Sequence, residues 1–269
     1  SNGEGCLFWN YPLGPSTNDY DLLILDANFN VVGSSTNTQN GAQDPIECVA
    51  NVLFNQYVLI TRVSGEARFM HLAMNGYDSR PAFSYITAGA IRGHQSLDDV
   101  FTVAATNVDA PTAPLNNEAV VASYSGDGNP RWYYEADGTP ITPGNLTSSG
   151  GQVIMKPDIT AASGIRTSVP DPFDVFFGTS ASAPIAGAIA ALMLEANPDL
   201  TVESMREIFA ATAIDIGPPG PDATSGYGII TATGVLQAML GVQTVPMGGS
   251  VFAIFLMLGL ARVALRRSR

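Results

Sequence analysis

Ala181 to Asn197 is a run of Ala, Ile, Leu, Met and Gly, stopped at Asn197-Pro198 and preceded by Phe177-Gly178-Thr179-Ser180. A helix that is apolar all round is a buried helix, so this segment predicts one at the centre of a folded domain. Pro184 falls in the first turn, where backbone N–H groups have no partner inside the helix, and its missing N–H costs little there. A serine at the mouth of such a helix has two uses. Its hydroxyl can attack a carbonyl, and the neighbouring N–H groups and the helix dipole can stabilise the oxyanion that forms. Taken alone, Gly178-Thr179-Ser180 also reads as a helix N-cap with no chemistry.

Three further stretches decide between these readings. Lys156-Pro157-Asp158-Ile159-Thr160-Ala161 reads as a strand leading to the serine loop. Val121-Ala122-Ser123-Tyr124-Ser125-Gly126 reads as a turn, and Ser225-Gly226-Tyr227-Gly228-Ile229-Ile230-Thr231-Ala232 stands near the end of the folded region. With Gly178-Thr179-Ser180-Ala181-Ser182-Ala183-Pro184 they stand along the chain in the order of four landmarks of the subtilisin-like serine proteases: the "A-S-F-S-x-x-G" turn, the strand before the serine loop, the serine motif itself and "G-x-G-x-V-N-A". The chain resembles that family from about Gly89 to Leu240. The resemblance implies an α/β fold built on a parallel sheet in three layers. It makes Ser180 the nucleophile and an oxyanion donor through its N–H, with Gly178, Thr179 and Pro184 as motif residues.

A serine is a weak nucleophile without an imidazole base and a carboxylate that fixes the imidazole's tautomer. The chain has two histidines, His71 in an alternating strand and His94 in Ile91-Arg92-Gly93-His94. Neither stands in the "H-G-T" context that the family uses, and no "D-[ST]-G" occurs. The expectation is a C-terminal part of a catalytic domain, its Asp and His lying before Ser1. Val103-Ala104-Ala105-Thr106-Asn107 superficially matches the family's oxyanion motif "A-A-G-N". Asn107 lacks the flanking glycines, and Phe101 to Ala105 fits the family's later strand "I-x-V-G-A". The oxyanion asparagine is therefore also expected upstream. Gly93 and His94 precede that strand, where relatives line the substrate pocket; the other reading of His94 is a polar turn residue. His71 reads as a strand residue facing solvent or making a small polar contact.

Net charge of −12 with a single lysine, Lys156, argues against nucleic acid or an anionic membrane as the main partner. Charged residues make up 13% of the chain, beside about 25% in ordinary globular proteins. Such a chain suits an exported protein. Cys6 and Cys48 fall on strand-like segments; outside the cell they would pair, and otherwise they are two buried thiols. Asp19, Asp21 and Asp26 could offer oxygens to Ca²⁺, but they form no fixed-spacing ligand loop, and solvated strand-end carboxylates is the preferred reading. No metal or other cofactor is expected.

Residues 1–78 read as short strands separated by Asn, Gly and Ser turns, an all-β sandwich similar to the jelly-roll domains inserted in secreted peptidases. Residues 79–243 carry the protease-like part. There Trp132 to Pro140 reads as a hairpin about Asp137-Gly138, whose aromatics either bind a substrate side chain or pack on the core. Thr201 is a helix N-cap for residues 202–213. Residues 244–269 hold ten uninterrupted apolar residues, Val251 to Leu260, followed by Arg262, Arg266, Arg267 and Arg269. Val245 to Leu265 gives 21 residues when Arg262 is counted in, enough for the roughly 20 that span a bilayer. This segment is expected to be a membrane anchor or sorting signal. The functional expectation is an exported serine endopeptidase acting on protein or peptide substrates. The rival is a non-catalytic surface protein with a decayed protease core, its sandwich used for binding.

Overall fold

The computed structural model describes residues 3–53, 55–75, 87–108, 115–171 and 174–241. The expected boundary at residues 78–79 and the apolar segment 244–269 lie outside the described residues.

The first half is all strand: β1 (Gly3–Trp9), β2 (Asp19–Leu25), β3 (Val31–Ser35), β4 (Ile46–Val52), β5 (Tyr57–Ser64) and β6 (Met70–Asn75). They form two three-stranded antiparallel sheets, in the orders β4-β1-β6 and β3-β2-β5. Side chains alternate across a strand, so every second residue of β1 and β2 points inward. Leu7 and Trp9 of β1, Tyr20, Leu22 and Ile24 of β2, and Val49 and Val52 of β4 fill one shared core. Cys6 and Cys48 stand opposite each other on β1 and β4, Cα atoms 4.1 Å apart, with their sulfurs bonded. Asp19 is buried rather than solvated, because the amide of Gln39 folds over it and donates to Oδ1 at 3.3 Å. Asp26 instead closes its own turn, accepting from the amides of Asn28 and Asn30.

The second half is built on β7 (Val103–Asn107) and, beyond the short pair β8 (Arg131–Trp132) and β9 (Gln152–Val153), on β10 (Ile159–Ser163). β7 and β10 run parallel, from Val103 opposite Ile159 to Asn107 opposite Ser163. Ile229 bridges the other side of β10 in parallel. A small antiparallel pair, β11 (Ile165–Arg166) with β12 (Val175–Phe176), then leads into α1 (Thr179–Ala196). α2 (Val202–Thr212) and α3 (Ala232–Leu240) follow. Thr201 and Thr231 cap α2 and α3, each side chain accepting an amide of the first turn. All three helices share one apolar cluster with Ile159 and Ala161 of β10.

α1 departs from the sequence expectation. Ala181, Ser182, Ala186, Ile189 and Met193 are buried, and the helix rests on β7, β10 and α3. The opposite side, with Pro184, Gly187, Ala188, Ala191, Leu192 and Leu194, is exposed. By length and composition α1 could cross a membrane. Its buried stripe is committed to the sheet; the rest lacks cover among the described residues.

One carboxylate fixes the start of this sheet. Asp158 Oδ2 accepts from the Thr102 amide at 2.7 Å and from Lys156 Nζ at 2.8 Å, while Oδ1 takes the Arg206 guanidinium of α2. Lys156 also donates to the Val100 carbonyl at 2.7 Å and is 1% exposed. The Arg206 guanidinium lies 4.7 Å over the Phe101 ring. Gly226 must be glycine beside this cluster. Its φ is +63°, and a Cβ would stand 2.2 Å from the Asp158 carbonyl oxygen. That close approach lets the Tyr227 amide donate to the same carbonyl at 2.8 Å.

The two halves meet through aromatic rings. Tyr133 stacks on Phe69 at 5.6 Å, and the Tyr134 hydroxyl accepts from Arg68 at 2.8 Å. The hairpin about Gly138 thus spends its aromatics on packing, the second of the two expected uses. His71, paired with Phe8 across β1 and β6, is half-buried rather than facing solvent. Burial, and then the Arg92 guanidinium, hold its imidazole below the ordinary histidine range. Arg92 itself sits 4.7 Å over the Phe8 ring.

Asp158→Ala leaves a buried ammonium and amide without their acceptor and is expected to cost about 3–5 kcal/mol of folding free energy. Urea denaturation measures it, and a loss within about 1 kcal/mol would contradict the role given to this carboxylate. His71 gives a pH signature. Its folded pKa is depressed, so the unfolded chain takes up the proton first as pH falls below about 6.5, and stability drops from there toward the lower folded pKa. Melting temperatures at pH 5 and 7.5 should differ less in His71→Gln than in the parent; an unchanged difference removes His71 as a source.

Candidate active site

Ser180 stands exposed in the first turn of α1. The sequence folds this way because Gly178 turns the chain sharply at φ +117° and ψ 165°, a conformation that side-chain-bearing residues rarely adopt. The Gly178 carbonyl accepts from the amides of Ala181 at 2.9 Å and Ser182 at 3.3 Å, starting the helix. Glycine has no side chain to cap the remaining amides of the first turn, that of Ser180 among them. An exposed hydroxyl beside unbonded helix-start amides can attack a carbonyl and receive the oxyanion it creates. Ser182, two residues on, is buried and donates to the Ala162 carbonyl at 3.0 Å, tying the turn to β10.

Gly178 donates its own N–H to Ser163 Oγ at 2.9 Å. Ser163 ends β10, so Ser180 lies at the C-terminal end of the parallel pair. Asn107 ends β7 beside it and accepts from the Tyr124 hydroxyl at 2.5 Å. The strand expected at Phe101 to Ala105 is the parallel β7, which starts at Val103 and runs on to Asn107, and the Asn107 side-chain oxygen is committed to Tyr124.

Gly93 and His94 are placed elsewhere. They form a 3-10 turn, Gly93–Ser96, whose Gln95 carbonyl accepts from Thr102 Oγ1 just before β7 begins. That is the opposite end of the sheet from Ser180, roughly 15 Å away along a five-residue strand. Arg92, and with it His71, belongs to the same end. The geometry brings neither histidine to Ser180. A cavity of about 220 Å³ lies at that end too, walled by Asp98, Met155, Arg206 and Tyr227. Among the described residues, no group of three or more His, Cys, Asp or Glu side chains could hold a metal ion. The polar chain through Tyr124 and Ser163 was not foreseen; its one sequence signal is a tyrosine where the family's turn carries phenylalanine.

Gly178→Ala forces an ordinary residue to φ +117° and is expected to lower stability by about 1–3 kcal/mol. A urea titration that leaves the midpoint unmoved would show that the turn relaxes without strain.

A sequence profile of the subtilase family matches residues 18–228, most of the chain. Bacillopeptidase F of Bacillus subtilis is 35% identical over 92 residues, 32% of this chain and 6% of that protein. The subtilisin-like protease SBT3.16 of Arabidopsis thaliana is 40% identical over 78 residues, 28% of this chain and 10% of that one. The chain thus spans only a small part of these relatives. Among solved structures, the CspB protease of Clostridium perfringens shares the fold with a TM-score of 0.54 at 13% identity, over 92% of this chain and 54% of that chain. The chain belongs to the subtilase family.

Proposed function

We propose that this chain is the C-terminal part of the catalytic domain of an exported serine endopeptidase, with Ser180 as its nucleophile. The observation that carries the reading is the exposed serine in the first turn of α1, beside helix-start amides at the C-terminal end of a parallel strand pair. In the proposed reaction Ser180 Oγ attacks the scissile carbonyl carbon and gives its proton to a histidine. The tetrahedral oxyanion accepts from the Ser180 N–H. Collapse breaks the C–N bond, and the histidine returns the proton to the leaving amine. Water then releases the acyl group by the same path. The histidine, its carboxylate partner and an oxyanion asparagine come from residues before Ser1. The side of α1 that lacks cover among the described residues supports this, since a helix so apolar calls for a further layer.

Two finer assignments accompany this reading. Residues 1–78 are an inserted jelly-roll-like sandwich, supported by the two facing sheets and their common core. Residues 244–269 anchor or sort the protein at a membrane, supported by the apolar run and its basic end. The Neisseria meningitidis relative NalP, 39% identical over 71 residues, is described as an autotransporter lipoprotein, which fits a place at the cell surface.

Purified chain 1–269 is expected to leave casein intact, and the full-length gene product to digest it unless Ser180 is replaced by Ala. Digestion by 1–269 that disappears in Ser180→Ala would sink the claim that the base lies elsewhere. Full activity of the full-length Ser180→Ala protein would sink the nucleophile.

A further inference from the structure

We propose that Tyr124 and Ser163 are positioning residues for Ser180, acting through a one-way chain of hydrogen bonds from the Gly178 amide to the Asn107 side chain. The inference rests on the reading of Ser180 as nucleophile and deepens it. Asn107 and Ser163 are the last residues of β7 and β10 and stand opposite each other in register. The Tyr124 hydroxyl lies between them, 2.5 Å from Asn107 Oδ1 and 2.7 Å from Ser163 Oγ. It is held there by its own turn, where the Ala122 amide donates to the Ala105 carbonyl at 2.7 Å and Ser125 Oγ accepts the Ala105 amide at 3.2 Å.

The protons can be assigned. Asn107 Oδ1 has none, so Tyr124 donates to it. The Tyr124 oxygen is then the acceptor for the Ser163 hydroxyl proton. The Ser163 oxygen in turn accepts the Gly178 N–H at 2.9 Å. Each hydroxyl donates once and accepts once in the same direction, an arrangement in which each bond strengthens the next. Ser163 is 0% exposed, so water offers its hydroxyl no alternative.

The chain ends on the residue that sets the nucleophile turn. Gly178 has its N–H tied to Ser163 and its carbonyl tied to Ala181 and Ser182, two residues before and just after Ser180. Both groups of a residue at φ +117° are thereby fixed relative to the end of the sheet. Removing the Tyr124 hydroxyl strands the Ser163 proton in a buried place. Ser163 must turn, and Gly178 loses an oriented acceptor. Displacements of that size matter for an attacking oxygen, whose reactivity falls steeply when misplaced.

Tyr124→Phe, Ser163→Ala and the double variant test this with two readouts. In 1–269 labelled with ¹⁵N-glycine, exchange of the Gly178 amide with solvent deuterium should accelerate in Tyr124→Phe. In the full-length protein, the rate at which Ser180 reacts with diisopropyl fluorophosphate should fall on the order of tenfold in Tyr124→Phe, with little further loss in the double variant. A purely structural role would move the melting temperature and leave that rate per folded molecule unchanged. Unchanged exchange at Gly178, or unchanged Ser180 reactivity in Tyr124→Phe, overturns the proposal. If wild-type Ser180 does not react at all while Gly178 exchange responds to Tyr124→Phe, the hydroxyl chain stands and the nucleophile reading falls.

Discussion

The buried carboxylate of Asp158 holds the protease-like half together. Its side chain gathers the Thr102 amide before β7, Lys156 before β10 and Arg206 from α2, and its carbonyl takes the Tyr227 amide. Two strands and a helix far apart in sequence are referred to one residue. The only lysine of a chain with net charge −12 is used there, almost wholly out of water. Breaking a buried ion pair by removing one partner leaves an uncompensated charge, so neither Lys156 nor Asp158 can be lost alone without penalty.

The parallel sheet therefore has two unlike ends. The end where β7 and β10 begin is occupied by charge pairs and by the contact with the strand-rich half through Arg92, Phe8 and His71. The end where they finish carries neutral hydroxyls and amides, and Ser180. That division follows the rule that open α/β sheets place their chemistry beyond the carboxyl ends of the strands. It also explains why both histidines of this chain are structural neighbours of the first end and not partners of the serine.

Much of this was legible in the sequence where a local signal existed. Pro198 marked the end of α1, Thr201 the start of α2, and Asp137-Gly138 the hairpin, because each acts on its own backbone. Long-range partners were not legible. Lys-Pro-Asp could be matched to a family landmark, yet nothing local says that Lys156 is buried on Asp158 or that Arg206 joins them. Asp19 reads as a solvated strand end until Gln39, twenty residues on, covers it. α3 was missed although Thr231 and Gly241 bracket it, because nine residues give too short a period to stand out. For α1 the pattern demanded burial on every side, and the described residues bury one stripe; composition states what a helix requires, not which segment meets the requirement.

The central claim is that Ser180 becomes reactive only with a base from outside residues 1–269. The direct measurement is mass-spectrometric mapping of a fluorophosphonate adduct on the full-length protein and on 1–269, treated identically. The account predicts an adduct on Ser180 in the full-length protein and an unmodified Ser180 in 1–269. An unmodified Ser180 in the full-length protein, or equal modification of Ser180 in both, would contradict it.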